Sequence, residues 1–115
     1  MRYKGSCHCG RIAFEVDGEL AQAMECNCSH CSRKGYLLWF VPRDHLRLAT
    51  PESNLATYTF RTGRIKHRFC AQCGCAPFGD GSDKTGAATA AVNVRCLEGI
   101  DLSALTVTPF DGRSL

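Results

Sequence analysis

Cysteine spacing is the feature of this sequence that most clearly indicates chemistry. Seven of the nine cysteines fall into three groups, which are Cys7 with Cys9, then Cys26, Cys28 and Cys31, then Cys70 with Cys73. The last group reads CAQCG, and a CxxCG turn brings two sulfurs to one metal ion. Gly74 can take the positive φ that turns backbone N–H groups toward the sulfurs. Cys70 and Cys73 are therefore predicted to form half of a tetrahedral metal site.

The group that best matches a complementary half is CHCG at residues 7–10, which again ends in a glycine. Two such pairs supply four thiolates, and a closed shell of four thiolates is typical of a structural zinc. The predicted structural ligands are Cys7, Cys9, Cys70 and Cys73. The metal would join the first strand to a segment more than sixty residues later. Its binding free energy would add stability that a small core needs.

Three thiolates remain, because Cys26, Cys28 and Cys31 lie within six residues and are not followed by a glycine. Such a group can hold one zinc on three sides. Three protein ligands with an open fourth position are typical of a catalytic zinc. The open position can take water, a substrate thiolate or a carbonyl oxygen, and the metal then acts as a Lewis acid or generates a nucleophile.

Two alternatives for this second group stay open. A fourth ligand from His30, His8 or Cys75 would close the site and make it structural, or the three thiols would hold no metal. His30 precedes a cysteine of the group by one residue. It is a candidate proton shuttle or hydrogen-bonding neighbour of the metal, with a solvent-facing imidazole as the alternative. Cys75 is expected to pack beside the CxxC turn or to have a redox or supporting role, and Cys96 to be a small buried apolar residue.

Composition and charge narrow the class of protein. Hydrophobic residues make up 44% and charged residues 22%, an ordinary globular mixture. The N-terminal residues show no signal peptide, and no stretch approaches the roughly 20 apolar residues that span a bilayer. An odd number of cysteines without such a signal favours metal-bound thiolates in a reducing, cytoplasmic location over disulfides.

Net charge disfavours a nucleic-acid partner. Seven thiolates and two zinc ions would bring the formal charge of +3 close to zero. The basic residues are scattered, whereas nucleic-acid binders normally concentrate them in a stripe. Arg64, Lys66 and Arg68 share one face of a predicted strand, which is typical of an ordinary solvated face.

Apolar residues alternate along most of the chain, as in Ile12, Phe14 and Val16. A period of two predicts half-buried strands, and the overall pattern predicts an all-β fold with short helical turns at Ser29–Lys34, after Pro42 and around Ser103. Residues 79–86 contain three glycines and no large apolar side chain, so an exposed loop is predicted there. Further strands are predicted at Leu37–Val41, 55–60, Ile65–Phe69, Ala88–Val94 and Leu105–Phe110.

A length of 115 residues suits one domain, residues 1–115.

With these residues placed, the chain resembles the glutathione-dependent formaldehyde-activating enzyme (GFA) family, which shares its domain with centromere protein V (CENP-V). The resemblance covers about residues 3–110 and is carried by GSCHCGRIAFEV, ECNCSHCSRKG, FVPRDHLRL, LATYTF and HRFCAQCGCAPFG. It implies a small zinc-stapled domain of twisted antiparallel sheets. It also implies two Zn²⁺ per chain, a structural ion on the first and third cysteine groups and a second ion on the middle group.

The resemblance implies a carbon–sulfur lyase activity, the reversible addition of glutathione to formaldehyde to give S-(hydroxymethyl)glutathione. The expected partners are therefore a small aldehyde and a glutathione-like thiol, and the expected catalytic residues are those that hold the second zinc, Cys26, Cys28 and Cys31. A different class of function remains as the alternative, a non-catalytic zinc-binding module for protein or nucleic-acid interaction.

Overall fold

The computed structural model describes residues 1–114, so that Leu115, the last residue of the predicted domain, lies outside the described part. As predicted, the fold is mostly β with little helix. The strands are β1 (Arg2–Ser6), β2 (Ala13–Asp17), β3 (Gln22–Cys26), β4 (Leu38–Pro42), β5 (Leu46–Leu48), β6 (Leu55–Tyr58), β7 (Lys66–Cys70), β8 (Phe78–Ser82), β9 (Ala88–Asn93) and β10 (Thr106–Phe110). The helix is α1 (Ser29–Lys34), and turns of 3₁₀ helix span Arg43–His45, Glu52–Asn54, Val94–Cys96, Leu102–Ala104 and Gly112–Ser114.

Two sheets are formed. The smaller has the strand order β1-β2-β5, and the larger has the order β10-β3-β4-β9-β8-β7-β6. Paired strands in residues 1–114 run antiparallel, as expected, except that β10 pairs in parallel with β3. The parallel register places Phe110 opposite Cys26. The C-terminal residues are thereby brought to the middle cysteine group.

The main core combines apolar side chains of both sheets. Phe14 and Val16 of β2 are almost fully buried and pack in one cluster with Trp39 of β4, Phe78 of β8 and Val92 of β9. Alternate residues of β2 and β4 are buried, which is the origin of the period of two in these parts of the sequence. Burial of side chains of this size contributes about 1.5–3 kcal/mol each to folding. Ala23 of β3 belongs to this core, and β3 ends at Cys26, where the middle cysteine group begins.

Helix α1 is determined by its two ends. Cys28 is the N-cap residue, and its Sγ accepts a hydrogen bond from the Cys31 N–H over 3.3 Å. Gly35 is the C-cap residue after Lys34, and its φ of 69° allows its N–H to reach the Cys31 carbonyl. Glycine adopts such a conformation without the steric cost that a side chain brings. The short helix predicted over Ser29–Lys34 is confirmed, and within residues 1–114 no helix has the length and apolarity to cross a membrane.

The loop predicted over residues 79–86 is wrong in its first part. Strand β8 continues to Ser82 and pairs with β7 on one side and β9 on the other, so the turn begins only at Asp83. Gly79 is buried, and a Cβ there would lie 3.4 Å from the Lys66 carbonyl oxygen. Close approach of the neighbouring strand therefore explains a glycine that sequence patterning associates with a loop.

Arg68 also departs from the solvated face that the sequence predicted. Its side chain is only 11% exposed and donates to Asp80 Oδ2 over 2.9 Å. It also pairs with Glu52 over 3.3 Å, and Arg43 donates to the other oxygen of Asp80 over 2.7 Å. These contacts compensate the positive charge of Arg68, because its guanidinium faces two carboxylates.

Candidate metal centres

The first and third cysteine groups meet at the end of β7. The sulfur atoms of Cys7, Cys9, Cys70 and Cys73 all lie within 4.8 Å of one another. The measured Sγ–Sγ separations are 3.7 Å for Cys7–Cys9 and 3.6 Å for Cys9–Cys70. A tetrahedral zinc site with Zn–S bonds of about 2.3 Å has sulfur–sulfur edges of about 3.8 Å. The four sulfurs therefore fit a divalent ion in tetrahedral coordination.

Backbone amides point at these sulfurs, as the glycine-containing turns predicted. Ile12 N–H donates to Cys7 Sγ over 3.3 Å, and the N–H groups of Gln72 and Cys73 donate to Cys70 Sγ over 3.3 and 3.4 Å. Gly10 and Gly74 have φ values of 83° and 81°. Donors of this kind stabilise the thiolate form, which is the form that binds metal.

The pKa values of two of the four thiols, those of Cys70 and Cys73, show the same preference. Amides of Cys75 and Cys9 lower the pKa of Cys73 to about 5, and the Cys73 amide lowers that of Cys70. The Arg11 amide acts to lower the pKa of Cys9, but burial and hydrogen bonds from the neighbouring thiols raise it to about 11. Four thiolates so close together repel one another, and a bound cation would remove that repulsion.

The middle cysteine group lies where β3 leads into α1. Cys26 ends the strand, Cys28 caps the helix and Cys31 lies in its first turn, with all three sulfurs within 4.8 Å of one another. Cys28 N–H donates to Cys26 Sγ over 3.4 Å. Burial disfavours the Cys28 thiolate, but the amide of Cys31 and other local donors outweigh it and lower the Cys28 pKa. Burial raises the pKa of Cys31, so a metal would have to displace that proton on binding.

This second cluster contains three candidate ligands among the described residues. Of the possible fourth ligands considered from the sequence, His8 is exposed in the first cysteine loop, and Cys75 packs against the four-cysteine cluster. The His30 ring lies among aromatic rings, with its centroid 4.1 Å from that of His67. None of the three belongs to the cluster. The donor set therefore fits a metal with a free coordination position.

Comparison with known proteins agrees with this arrangement. The family profile described as "Glutathione-dependent formaldehyde-activating enzyme" matches residues 2–106. The chain belongs to this family. A Rhodobacter sphaeroides protein of known crystal structure is 34% identical in sequence to this chain. The match covers 92% of this chain and 97% of the Rhodobacter chain, and the two structures superpose with a TM-score of 0.80. The resemblance inferred from the cysteine motifs is thus confirmed, and the two cysteine clusters are consistent with metal binding in the family.

A cavity of about 530 Å³ lies against the second cluster of this GFA-family protein. Cys26 and Cys31 line it, together with charged residues of both signs, Glu25, Arg95 and Asp111. Cavities of this size are typical of small-molecule sites. We call it the cysteine cavity, and its charges suit a polar ligand that carries both an ammonium and a carboxylate group.

The C-terminal segment that packs against the second cluster lies beyond the residues matched by the GFA profile. Gly112 is buried, and a Cβ on it would lie 2.5 Å from Cys26 Sγ and 3.2 Å from Cys28 Cβ. Asn27, between those two cysteines, donates to Asp111 Oδ1 over 3.0 Å and accepts from Arg113 N–H over 2.9 Å. No sequence motif indicates these contacts, which depend on the parallel pairing of β10 with β3.

Gly112→Ala is expected to weaken metal binding at the second cluster. The added methyl group would displace Cys26 Sγ, and a disturbance next to a metal ligand lowers affinity by about 10- to 100-fold. Cobalt(II) titration, followed through the thiolate-to-metal absorption band, measures this for the weaker of the two sites. Gly81→Ala is the matched control, because a Cβ there meets only Ile65 Cγ1 at 3.7 Å. Equal cobalt affinity in the two variants would show that Gly112 does not position Cys26.

Aromatic rings surround His30 on the other side of α1. Its ring centroid lies 5.5 Å from Tyr58 in a stacked arrangement, 5.4 Å from Phe60 and 5.7 Å from Tyr36. Burial lowers the pKa of His30 and lowers that of His67 to about 4, so both imidazoles are uncharged at neutral pH. His30 Nδ1 is buried and has no hydrogen-bond partner among the described residues. The sequence analysis identified His30 as a candidate but not its ring neighbours, because all of these except Tyr36 come from β6, β7 and the chain between them.

Proposed function

We propose that this protein is a zinc-dependent carbon–sulfur lyase that adds a thiol such as glutathione reversibly to a small aldehyde. Family membership supports the reaction class. The observation that carries the proposal is the second cluster, in which three cysteine sulfurs converge beside the cysteine cavity without a fourth protein ligand among the described residues. A reducing compartment such as the cytoplasm would keep these thiols available for metal.

The two clusters have different tasks in this proposal. Zn²⁺ on Cys7, Cys9, Cys70 and Cys73 is structural, because four thiolates leave no room for substrate. Cys26, Cys28 and Cys31 hold the second Zn²⁺. When bound there, zinc supplies Lewis-acid chemistry that polarises a carbonyl group or lowers the pKa of a thiol.

The remaining residues bind and orient the reactants. Arg95 lines the cysteine cavity and pairs with a carboxylate of the thiol substrate. Glu25 and Asp111 line the same cavity and pair with its ammonium group. Gly112 brings the backbone against Cys26 and shields that side of the cluster from water. In the addition, the thiol sulfur forms a bond to the carbonyl carbon, the C=O π bond breaks, and the thiol proton passes to the carbonyl oxygen. Holding both reactants beside the second cluster removes the entropy cost of their encounter.

The proposal is tested by the exchange rate between formaldehyde and its glutathione adduct. Exchange NMR with zinc-loaded protein should show a rate above that of buffer, since the uncatalysed addition also proceeds. Cys96→Ser is the control for loss of a cysteine outside the metal sites, because Cys96 belongs to neither cluster. An exchange rate equal to that of buffer, with the second site loaded, would refute catalysis of this reaction.

A further inference from the structure

A second cavity, of about 450 Å³, lies on the side of α1 occupied by His30 and has no role in the proposed addition to formaldehyde. Most of its wall consists of rings, and we call it the ring cavity. The rings that line it are His30, Tyr36, Tyr58, His67 and Phe69. They come from α1, the residues after it, β6 and β7. Three separate chain segments thus converge to form one aromatic surface open to solvent.

Several of these rings pack against one another. His30 stacks on Tyr58 with an interplanar angle of 24°, and His30 and His67 have centroids 4.1 Å apart. Tyr58 is nevertheless 50% exposed, so its ring is only partly covered by the protein. A planar aromatic ligand would cover this face and gain stacking contacts.

The charge at this cavity has one sign. Arg33 and Lys34, in the last turn of α1, line it, and none of its described lining residues is acidic. Arg33 is oriented by a 2.8 Å hydrogen bond from Nη1 to the Ser29 carbonyl, and Lys34 Nζ lies 5.4 Å from the centroid of the Phe69 ring. Both cations are exposed and can pair with an anionic group on a ligand.

The ring cavity adjoins the second cysteine cluster. Tyr36 lines both the ring cavity and the cysteine cavity. It also packs with Cys31 in one buried cluster, against which Phe69 lies. His30 is located in the chain between the two candidate ligands Cys28 and Cys31. A molecule in the ring cavity would therefore lie next to Tyr36 and Phe69, which pack in the same cluster as Cys31.

We propose that the ring cavity binds the body of the aldehyde substrate, and that this aldehyde is an aromatic one carrying an acidic group. The assignment rests on the proposed thiol addition and specifies its substrate. Formaldehyde has neither a ring nor a charge and would use none of these contacts. An aryl aldehyde with a carboxylate uses both, with its ring against Tyr58 and His67 and its carboxylate at Arg33 and Lys34. The bond changes are those of the thiol addition given above.

Binding of small probes to the zinc-loaded protein, without thiol, tests the assignment separately from catalysis. The probes are benzoate, its uncharged analogue benzamide, and 4-carboxybenzaldehyde, each titrated by NMR. Benzoate and 4-carboxybenzaldehyde should bind more tightly than benzamide, because only they pair with the two cations. Tyr58→Ala should weaken benzoate binding about 5-fold, the scale expected for one aromatic contact. Phe40→Ala should leave it unchanged, since Phe40 is a comparably exposed ring, at 49%, outside the cavity.

The contribution of the Lys34 charge to benzoate binding is tested in the same way. Lys34→Met should reduce the preference for benzoate over benzamide, whereas Lys66→Met, which changes an exposed lysine outside the ring cavity, should not. Undetectable benzoate binding, or binding that neither Tyr58→Ala nor Lys34→Met weakens, would overturn the assignment even if formaldehyde exchange is catalysed. Benzoate binding with the predicted variant effects but no thiol addition to 4-carboxybenzaldehyde would support a ligand site in the ring cavity and overturn its assignment to the aldehyde substrate.

Discussion

Cys70→Ser is expected to abolish cooperative folding. Cys70 is 1% exposed, and its Sγ lies 3.6 Å from Cys9 Sγ in the cluster that joins the loop after β1 to the end of β7. Structural zinc sites contribute about 10–16 kcal/mol of apparent binding free energy. The whole free energy of unfolding of a domain is only about 5–15 kcal/mol. Loss of one thiolate should therefore remove most of the stability, which circular dichroism during heating would show as a missing or greatly lowered transition.

The control for this variant is Cys96→Ser. Cys96 is partly buried, and its Sγ donates a long hydrogen bond of 4.0 Å to the Ala76 carbonyl. Burial raises its pKa to about 11, so it is a neutral thiol, and serine replaces it without affecting a metal ligand. A melting temperature of Cys70→Ser within a few degrees of that of Cys96→Ser would refute a structural role for the four-cysteine cluster.

Unlike Cys70→Ser, Cys28→Ser is expected to keep the fold. It should lose the second zinc and the thiol-addition activity. Serine is among the preferred N-cap residues, so α1 should keep its start when Cys28 is replaced. Only two thiolates would remain at the second cluster, too few to hold zinc firmly. Elemental analysis of zinc, exchange NMR and thermal unfolding of the same preparation would measure the three consequences together.

Two results would contradict this division between the clusters. Equal loss of melting temperature in Cys28→Ser and Cys70→Ser would show that both clusters support the fold. Unchanged exchange catalysis in Cys28→Ser would show that the second cluster is not the reaction site.

The convergence of sulfurs within each cysteine group could be predicted because each group is local in sequence. A CxC or CxxC spacing brings two sulfurs together through one turn, and the glycines at positions 10 and 74 show that the two turns are of the same kind. Strand positions such as β2 and β9 could be predicted because alternate residues, including Phe14 and Val92, face the core. In each case, neighbouring residues contain enough information to define the structure.

Other features depend on contacts between distant segments and have no local signal. Gly112 is near Cys26 only because β10 pairs in parallel with β3, and an isolated glycine in the sequence does not reveal that contact. Tyr58 and His67 likewise meet because β6 and β7 pair with these two residues opposite each other. The alternating pattern predicted strands there, but it does not determine which rings will share a cavity with α1.

The structure weakens the case for the alternative function as a nucleic-acid-binding module. Its support in the sequence was the basic strand now seen as β7. Arg68 of that strand is mostly buried and paired with Asp80 and Glu52, so its charge is not available to a phosphate. Binding to duplex DNA at low ionic strength would be needed to restore this alternative.

The most direct test of the two-centre arrangement is the amount of zinc per chain, measured by elemental mass spectrometry before and after brief exposure to a mild chelator. We predict two zinc ions that fall to one while circular dichroism shows an intact fold, because the four-cysteine site is closed and the three-cysteine site is open. Two zinc ions that both resist the chelator would contradict an open second site and favour a non-catalytic binding module. A single zinc ion before treatment would contradict the two-centre arrangement itself.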